Sequence, residues 1–353
     1  MTTGFHRLRV AGVERLCADA VAVTFEVPYE LAAEFAFTPG QYLTLRQFVD
    51  GGGDGCREER RSYSICAPAG APLRVGVRRV DSGLFSEWLV DRLVPGDEVE
   101  AAPPAGSFTS ELVPGTHHGF IAAGSGITPV LSIAASVLAH PDTRVTLLYG
   151  NRRTDTVMFT EELADLKNAH GPRVQLVHVL SREPTAAELF TGRLDATKLA
   201  LLLGALVDVD DVDHWWLCGP LGMTTDAEAV LAGLGVERSR IHRELFYVGE
   251  PPPVRPTEEV VDGSEVTVIL NGRTTTRTLP RTMSVLDGTQ KIRGDLPFAC
   301  KGGVCGTCRA KVTEGEVTMR RNFALEDDEV AAGFVLTCQA RAVSATVTVD
   351  FDM

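Results

Sequence analysis

Apolar residues recur with two different spacings in the middle third of the chain. Short apolar runs at residues 119–123, 144–149, 173–180 and 215–218 have the length and composition of buried strands. Residues 158–170 instead carry apolar side chains at helical spacing. Strands that alternate with helices predict a parallel sheet covered by helices, in a doubly wound α/β domain.

The flanking parts of the chain have a different pattern. Residues 1–114 contain short β-type runs broken by glycine and proline, with little helical periodicity, which predicts an antiparallel β-barrel. Near the C-terminus, strand-like residues 266–270 precede Asn271-Gly272, the dipeptide of a type I′ turn, and residues 273–279 return as a second strand. Ser284 is placed to cap a short helix. These elements predict a small α+β module of the β-grasp kind.

A proline-rich segment marks the clearest boundary in the chain. Residues 250–262 contain four prolines, which cannot donate hydrogen bonds to a sheet and favour a stiff, extended linker. We therefore predict a β-barrel at residues 1–114, an α/β domain at 115–249, a linker at 250–262 and a C-terminal domain at 263–353. The run Gly-Gly-Gly-Asp-Gly at residues 51–55 predicts a surface loop.

Composition and charge narrow the class of protein. The 353 residues are 44% hydrophobic and 23% charged, which is ordinary for a globular chain. A net charge of −13 argues against a nucleic-acid partner, which needs a basic face, and is compatible with steering toward a basic protein. Because no apolar run of about 18 residues and no apolar signal-peptide core is present, we expect no membrane span and a cytoplasmic location.

Four of the eight cysteines have a spacing with a specific chemistry. Cys300, Cys305, Cys308 and Cys338 form C-x4-C-x2-C-x29-C, the ligand spacing of a plant-type [2Fe–2S] cluster, which carries single electrons. Three glycines in the loop would let the backbone wrap around the cluster. The alternatives are reduced core cysteines or a zinc site, but zinc sites usually show paired C-x2-C knuckles and only one is present. The cysteines predicted to be small buried residues are Cys17, Cys56, Cys66 and Cys218.

Another motif lies where the first strand of the α/β domain gives way to a helix. Gly124-Ser-Gly-Ile-Thr-Pro129 would direct free amides and the positive end of a helix dipole at an anion such as a pyrophosphate. It lacks the complete G-x-G-x-x-G pattern, so a purely structural turn is the alternative. Cys218-Gly-Pro220 ends a later strand, and ligands of doubly wound sheets bind at such carboxyl ends.

These motifs together resemble those of a known family. Arg61-Ser-Tyr-Ser64, the Gly124 motif and Cys218-Gly-Pro220 are similar to motifs of the ferredoxin–NADP⁺ reductase superfamily. With the C-terminal cysteines added, the chain resembles the reductase components of bacterial multicomponent oxygenases. Over essentially its whole length it is similar to the reductase subunits of 1,2-phenylacetyl-CoA epoxidases. The further motifs that carry this likeness are Phe5-His6, Pro39-Gly-Gln41, Tyr149-Gly-Asn-Arg152, residues 299–305 and the Val349-Asp-Phe-Asp352 ending.

The resemblance implies a flavin site on the barrel. Arg61 would bind the flavin phosphate, Tyr63 would stack on the isoalloxazine ring, and Ser64 would form a hydrogen bond near flavin N5. Phe246 matches an aromatic residue that shields the flavin in the family. The alternative is that Phe246 only packs in the hydrophobic core. The family likeness implies FAD, although related reductases differ in using FMN or FAD. The other flavin-site residues implied are Val77, Arg78, Gly83 and Ser86. The alternative for Arg61 and Arg78 is that they are simply exposed to solvent on one face of the barrel.

The resemblance also implies a nicotinamide site in the α/β domain. Gly124, Gly126 and Thr128 would hold the pyrophosphate, and Cys218 and Gly219 would approach the nicotinamide ring. The residues implied at the adenosine end are Arg152, Ser181 and Arg182. An arginine there compensates the charge of a 2′-phosphate and favours NADPH, although an acidic residue, which usually marks an NAD site, follows immediately.

The implied activity is that of an NADPH-dependent flavin and iron–sulfur reductase in which Ser64, Cys218 and Phe246 are catalytic. Nicotinamide gives two electrons at once as hydride, whereas an oxygenase metal centre accepts them singly, so a flavin and a cluster together divide the pair. The implied partner is an oxygenase component, the di-iron phenylacetyl-CoA epoxidase of phenylacetate degradation. The alternatives are a ring-hydroxylating or steroid-hydroxylating oxygenase as partner, or a redox-sensing or scaffold role without turnover.

Three histidines have no set of further metal ligands around them in the sequence, and we expect them to be structural: His117, His118 and His242.

Overall fold

A computed structural model of the chain describes residues 4–50, 56–80, 83–109, 111, 113–246 and 263–353. One compact unit spans Phe5–Phe246, and residues 263–353 lie in a second. The predicted glycine loop at residues 51–55 and the predicted linker at residues 250–262 lie outside the described residues. Within the described ranges, every helix is too short or too polar to cross a lipid bilayer.

The first sheet of the larger unit is antiparallel and closed. Its elements are β1 (His6–Cys17), β2 (Ala20–Glu26), β3 (Tyr42–Asp50), β4 (Cys56–Ser64), β5 (Arg74–Arg78), α1 (Leu84–Asp91) and β6 (Glu98–Ala101). The strand order is β4-β3-β6-β1-β2-β5. The two outer strands meet because Ile65 bridges to Val75 and the Cys66 amide donates to the Arg74 carbonyl at 2.9 Å. The predicted antiparallel barrel is confirmed.

The second sheet of this unit is parallel, as the alternating pattern predicts. Its elements are β7 (His117–Ala123), α2 (Ile127–Leu138), β8 (Arg144–Asn151), α3 (Thr160–His170), β9 (Val174–Leu180), α4 (Ala196–Leu206), β10 (His214–Cys218), α5 (Leu221–Gly233) and β11 (Ile241–Glu244). The order β11-β10-β7-β8-β9 places the first strand in the middle, so the winding direction reverses between β7 and β10. Such a reversal is the usual ligand position in a doubly wound sheet.

The barrel and the parallel sheet share one hydrophobic core through β2 and α2. Val21 and Val23 of β2 point into the barrel, whereas Ala20 and Ala22, on the other face, pack in the core that surrounds α2. Small side chains on that face let the helix approach closely. The Ser132 hydroxyl of α2 donates to the Ala67 carbonyl at 2.6 Å. The predicted boundary near residue 114 therefore lies between two sheets that are packed together as one unit.

The C-terminal unit is the predicted α+β module. Its elements are β12 (Gly263–Leu270), β13 (Arg273–Pro280), α6 (Val285–Gln290), β14 (Arg309–Glu314), β15 (Val317–Met319), α7 (Asp327–Ala331), β16 (Phe334–Leu336), β17 (Ala340–Ala342) and β18 (Thr346–Asp350). Five strands form the sheet β13-β12-β18-β14-β16, and β15 pairs with β17. Asn271 and Gly272 have φ of 52° and 66°, as a type I′ turn requires. The Ser284 side chain accepts from the Asp287 amide at 3.1 Å and caps α6.

Candidate functional site

The carboxyl ends of β7 and β10 lie side by side where the strand order reverses. A single 3₁₀ turn, Gly124–Gly126, follows β7 and leads into α2, while β10 ends at Cys218. A Cβ atom at Gly126 would lie 2.2 Å from the Cys218 carbonyl oxygen, so only glycine fits this contact. The structure thus brings Gly126 into contact with Cys218 and Gly219. We call this contact the glycine cradle; the predicted pyrophosphate would bind beside it.

A carboxyl group that the sequence motifs did not single out joins the barrel to this cradle. Ser64 ends β4 and is buried, and its hydroxyl donates to Oε2 of Glu244 at 3.3 Å. Glu244 is the last residue of β11, where it pairs in register with Cys218. Two of the three residues predicted to be catalytic, Ser64 and Cys218, therefore meet around this acid. The third, Phe246, follows two residues later with 37% of its surface exposed.

The surroundings keep the acidic groups of this junction neutral. Burial raises the pKa of the Glu244 carboxyl to about 8, and the hydrogen bond from Ser64 opposes the rise only in part. Burial likewise raises the pKa of the Cys218 thiol well above its usual range. At neutral pH Glu244 is therefore mostly protonated, and a neutral carboxylic acid beside Ser64 can donate as well as accept a hydrogen bond.

The raised pKa of Glu244 predicts a pH-dependent cost to the fold. The folded-state pKa of about 8 lies above the ordinary value of 4.5, so this stability contribution is complete below pH 4.5 and is lost as the pH rises through 8. Glu244→Gln should therefore raise the free energy of unfolding, relative to the natural chain, more at about pH 9 than at about pH 6. Urea unfolding at both pH values measures this. Exposed Glu30→Gln is the control, and an equal effect of Glu244→Gln at both pH values would contradict the burial argument.

The residues predicted for the flavin lie along β4 and at the start of α1. Arg61 and Tyr63 share one face of β4; Tyr63 packs edge-on against Phe85, with ring centroids 6.2 Å apart. Arg61 is half exposed, and its guanidinium lies 2.8 Å from the Glu59 carboxylate, which a bound phosphate would replace. The Ser86 hydroxyl donates to the Gly83 carbonyl at 2.9 Å and fixes the turn into α1.

Two other residues predicted for the flavin have different surroundings. Val77 is fully buried in the barrel core. Arg78 Nε lies 3.3 Å from a carboxylate oxygen of Asp19, and its guanidinium donates to the Thr156 carbonyl. A Cβ at Gly124 would lie 3.2 Å from Arg78 Nη1, so this arginine borders the glycine turn of the parallel sheet.

The residues predicted for the adenosine end lie on two neighbouring segments. The amides of Ser181 and Arg182 donate to the carbonyls of Asn151 and Arg152 at 2.9 and 2.8 Å, which places Arg182 beside Arg152. The Arg152 guanidinium also binds Asp19 at 3.0 Å. Asp19, in the turn between β1 and β2, therefore contacts two arginines of the predicted cofactor site, although no motif contains it.

Thr128 has a structural contact within the predicted pyrophosphate turn. It is buried and its hydroxyl donates to the Ser125 carbonyl at 2.9 Å. A Cβ at Gly76 of β5 would lie 2.4 Å from its methyl group, so barrel and helix are in close contact there. Thr128 therefore shapes the turn from inside, and the amides of the turn remain the groups that can face a ligand.

The four motif cysteines lie in the C-terminal unit as two pairs. Cys300 is hydrogen-bonded to Cys305, and Cys308 to Cys338. Two pairs suit a cluster in which each iron takes two thiolates. In the described ranges no group of three or more His, Cys, Asp or Glu side chains is arranged for one metal ion.

Hydrogen bonds favour the thiolate form of one cysteine in each pair. The bond with Cys305, with help from backbone amides, lowers the pKa of the Cys300 thiol to about 5, and the bond with Cys308 lowers the pKa of Cys338. The Gly302 amide donates to Cys300 Sγ at 3.3 Å. The same bonds raise the pKa of the partner thiols, Cys305 and Cys308, well above their usual range, so the arrangement of the four sulfur atoms in two pairs is what fits a [2Fe–2S] cluster.

The loop that carries three of these cysteines is held by glycine and by Gln339. Gly303 has φ of 80°, and a Cβ there would lie 3.0 Å from the Gln339 side chain. Gln339 Nε2 donates to the Lys301 carbonyl at 2.8 Å and lies 3.6 Å from Cys338 Sγ. This glutamine, which the cysteine spacing does not reveal, connects the fourth ligand to the loop of the other three.

The histidines predicted to be structural lie away from the cysteine loop, whereas one predicted core cysteine, Cys218, lies at the glycine turn. His117 and His118 begin β7, at the end of the sheet opposite the glycine turn, and His118 accepts a hydrogen bond from Trp216 at 3.1 Å. His242 stacks on the same tryptophan at 4.1 Å. Of the cysteines predicted to be core residues, Cys66 and Cys218 are buried and Cys17 is only half-buried, while the side chain of Cys56 lies outside the described residues.

Both domain types match known families. Residues 120–229 match the family described as oxidoreductase NAD-binding domain, and residues 268–343 match the 2Fe-2S iron-sulfur cluster binding domain. The fold is that of phthalate dioxygenase reductase, with a TM-score of 0.61, 24% sequence identity, and coverage of 99% of this chain and 98% of that one. The fold and the two domain matches thus define an oxidoreductase with a nicotinamide-binding domain and a [2Fe–2S] domain.

Full-length relatives give the family. The chain is 41% identical to a subunit of 1,2-phenylacetyl-CoA epoxidase from Escherichia coli, over 100% of this chain and 99% of that protein. It is 33% identical to the ferredoxin reductase component of 3-ketosteroid-9-alpha-monooxygenase of Rhodococcus rhodochrous, over 98% and 96%. The chain belongs to the family of NAD(P)H-dependent oxygenase reductases with a C-terminal [2Fe–2S] domain. The predicted cofactor set of FAD, NAD(P)H and a [2Fe–2S] cluster is that of this family, and an oxygenase component is its partner.

Proposed function

We propose that this chain receives electron pairs from NADPH at the junction of Ser64, Cys218 and Glu244 and delivers single electrons through the four-cysteine site to an oxygenase. The contact between Ser64 of the barrel and Glu244 of the parallel sheet carries the proposal, because it brings the two predicted cofactor sites to one point. A bound flavin supplies the needed chemistry, since it exchanges both electron pairs and single electrons. The division at residue 114 into flavin and nicotinamide parts and a cytoplasmic location belong to the same proposal.

The residues of the junction would position the reactants and control one proton. Gly126 and Gly219 allow a nicotinamide to approach closely, and the buried Cys218 keeps water from that face. Ser64 would donate to, or accept from, the flavin nitrogen that receives hydride. Glu244, protonated at neutral pH, would keep the Ser64 hydroxyl oriented and hold a proton within hydrogen-bond reach. Arg61 would compensate the flavin phosphate charge after exchanging its contact with Glu59.

The preference for NADPH is supported by the contacts of Glu183. This acid follows Arg182 and would argue for NADH if it faced the ribose. Its carboxylate instead accepts from the Thr154 amide at 2.8 Å and from the Thr154 hydroxyl at 2.9 Å. Arg182 is exposed, and its backbone is hydrogen-bonded to that of Arg152, so a guanidinium at this position would be available to a 2′-phosphate.

Replacing Arg182 should therefore change the cofactor preference. Arg182→Ala is expected to raise the KM for NADPH about tenfold or more and to leave that for NADH within about twofold, because only NADPH carries the 2′-phosphate. Steady-state reduction of ferricyanide with each nucleotide measures this. Arg153→Ala, a neighbouring exposed arginine that pairs with Asp155, is the control. An equal rise for both nucleotides would place Arg182 outside the discriminating contact.

The proposed partner is the oxygenase of a phenylacetyl-CoA epoxidase. The support is the full-length similarity to a protein of such an enzyme, which exceeds the similarity to the steroid monooxygenase component. Purified oxygenase subunits of phenylacetyl-CoA epoxidase, supplied with this chain, NADPH, phenylacetyl-CoA and dioxygen, should form the epoxide. If turnover occurs only with the oxygenase of a 3-ketosteroid monooxygenase and its steroid substrate, this partner is rejected in favour of the alternative.

A further inference from the structure

The charge of the chain is divided unevenly between its two units. Residues 263–353 carry eleven Lys and Arg against eleven Asp and Glu, so their net charge is zero. The net charge of −13 therefore arises entirely from residues 1–262. The part of the chain that carries the predicted cluster is consequently not an acidic surface as a whole, and the local arrangement of its charges decides what it can bind.

Three basic side chains lie around the cysteine loop, and we call Lys301, Arg320 and Arg341 the basic rim. Lys301 follows the ligand Cys300 and its side chain is 43% exposed. Arg320 is exposed, and its amide donates to the Gln339 carbonyl at 3.2 Å, one residue beyond the ligand Cys338.

Arg341 lies on the same face of the β15–β17 ribbon as Arg320. Thr318 is paired directly with Arg341, so these two side chains lie on one face of the ribbon. Arg320 is two residues after Thr318, and side chains two positions apart along a strand lie on the same face. Burial, together with the adjacent charge of Arg320, lowers the pKa of the Arg341 guanidinium. Like charges are therefore held next to each other at this edge of the cysteine loop.

One acid of the unit faces two residues of the rim. Asp287 binds Lys301 at 3.0 Å, and the nearby charge of Arg320 also helps to lower the pKa of its carboxyl. Arg320 and Arg341 have no ion pair with any acid in the part of the chain that the structure describes. Other acids have separate contacts: Glu329 binds Arg309, and Asp352 accepts from the turn amides of Asn271 and Gly272. The rim therefore remains net positive within a neutral unit.

We propose that the basic rim of Lys301, Arg320 and Arg341 is the docking surface for an acidic patch on the oxygenase that accepts the electrons. This rests on the proposed function and adds the chemistry of the recognition. A surface beside the predicted cluster shortens the path for an electron, and opposite charge both speeds encounter and orients the partner. The overall charge of −13 would suggest a basic partner, but the basic rim has the opposite sign.

Charge reversal with a matched control tests the rim. Arg320→Glu should weaken binding to immobilised oxygenase subunits of phenylacetyl-CoA epoxidase about tenfold at low ionic strength, mainly through the association rate. It should also flatten the dependence of binding on salt. Arg277→Glu makes the same charge change in the same unit, on edge strand β13, whose hairpin holds none of the rim, and should leave binding unchanged. Arg341→Gln, which removes a charge without reversing it, should give a smaller loss than Arg320→Glu.

Rapid-mixing absorbance of the cluster after addition of NADPH separates the possible causes. The proposal assigns the rim to the oxygenase, so in Arg320→Glu the cluster should be reduced by NADPH at the rate of the natural chain. Slower cluster reduction, or equal loss of oxygenase binding in Arg277→Glu, would overturn the proposal. Electron delivery by the natural chain tests the proposed function, whereas the difference between Arg320→Glu and Arg277→Glu tests the rim. Absence of oxygenase binding by the natural chain would overturn both.

Discussion

Cys305→Ala is expected to abolish the [2Fe–2S] absorbance and to reduce electron transfer to the oxygenase at least about a hundredfold. Cys305 is hydrogen-bonded to Cys300, so its loss removes one member of a ligand pair and leaves one iron with a single thiolate. Reduction of the bound flavin by NADPH should stay within about twofold, because Ser64 and Glu244 lie in the other compact unit.

The control for this change is Cys66→Ala. Cys66 is also a buried free cysteine, but it lies in the barrel and donates only to the Arg74 carbonyl at 3.4 Å. It should retain both the cluster spectrum and transfer to the oxygenase. Iron and sulfide analysis together with stopped-flow absorbance measures both effects. A Cys305→Ala protein that keeps its cluster and still reduces the oxygenase would reject the ligand assignment.

Gly126→Ala is expected to have the largest effect on the fold and on hydride transfer. The new Cβ would meet the Cys218 carbonyl oxygen at 2.2 Å and its carbon at 2.6 Å, so α2 and the end of β10 must separate. Overpacking by backbone contact should cost about 3 kcal/mol of the free energy of unfolding. A displacement of the cradle by about 1 Å should slow flavin reduction by NADPH about a hundredfold.

Gly204→Ala is the matched control for the glycine cradle. Gly204 lies in α4 with no atom within 4 Å of its added Cβ, so the same substitution should stabilise the helix by up to about 1 kcal/mol. Urea unfolding and stopped-flow flavin reduction compare the two variants. If Gly126→Ala unfolds at the same urea concentration as the natural chain and is reduced as fast, the proposed cradle at Gly126 and Cys218 is wrong.

Local patterns in the sequence predict much of the fold because the responsible interactions are local. The Asn271-Gly272 turn, the Ser284 cap and the strands of the parallel sheet each depend on residues within a few positions of one another. The set of four cysteine ligands is predicted by its spacing, whereas the division into two pairs appears only in the structure. The sequence pattern did not locate α4, α5 or β11; of these, β11 has only four residues, whereas α4 and α5 are as long as the other helices of the sheet.

The residues that the sequence did not reveal are placed by contacts between distant segments. Glu244 is 180 positions from Ser64, and only the packing of the barrel against the parallel sheet brings them together. Asp19 reaches Arg152 across 133 positions, and Gln339 reaches Lys301 across 38. No local spacing encodes such contacts. Arg78, assigned by motif to the flavin, borders the glycine turn for the same reason.

Shared burial also explains why the first two predicted domains are packed as one unit. The alternation of β2 places valines in the barrel and alanines against α2, so one strand serves two cores. A sequence pattern of period two indicates that a strand has two faces but does not tell whether both are covered. The structure shows that both are.

The most direct test of the proposed electron pathway is anaerobic rapid mixing of the purified chain with a single equivalent of NADPH, followed by absorbance and electron paramagnetic resonance. We expect that the flavin absorbance falls first and that the signal of a reduced [2Fe–2S] cluster then appears at up to one unpaired electron per chain. A chain that binds NADPH but shows no reduced-cluster signal, or in which the cluster is reduced while the flavin is not, would contradict the conversion of electron pairs into single electrons.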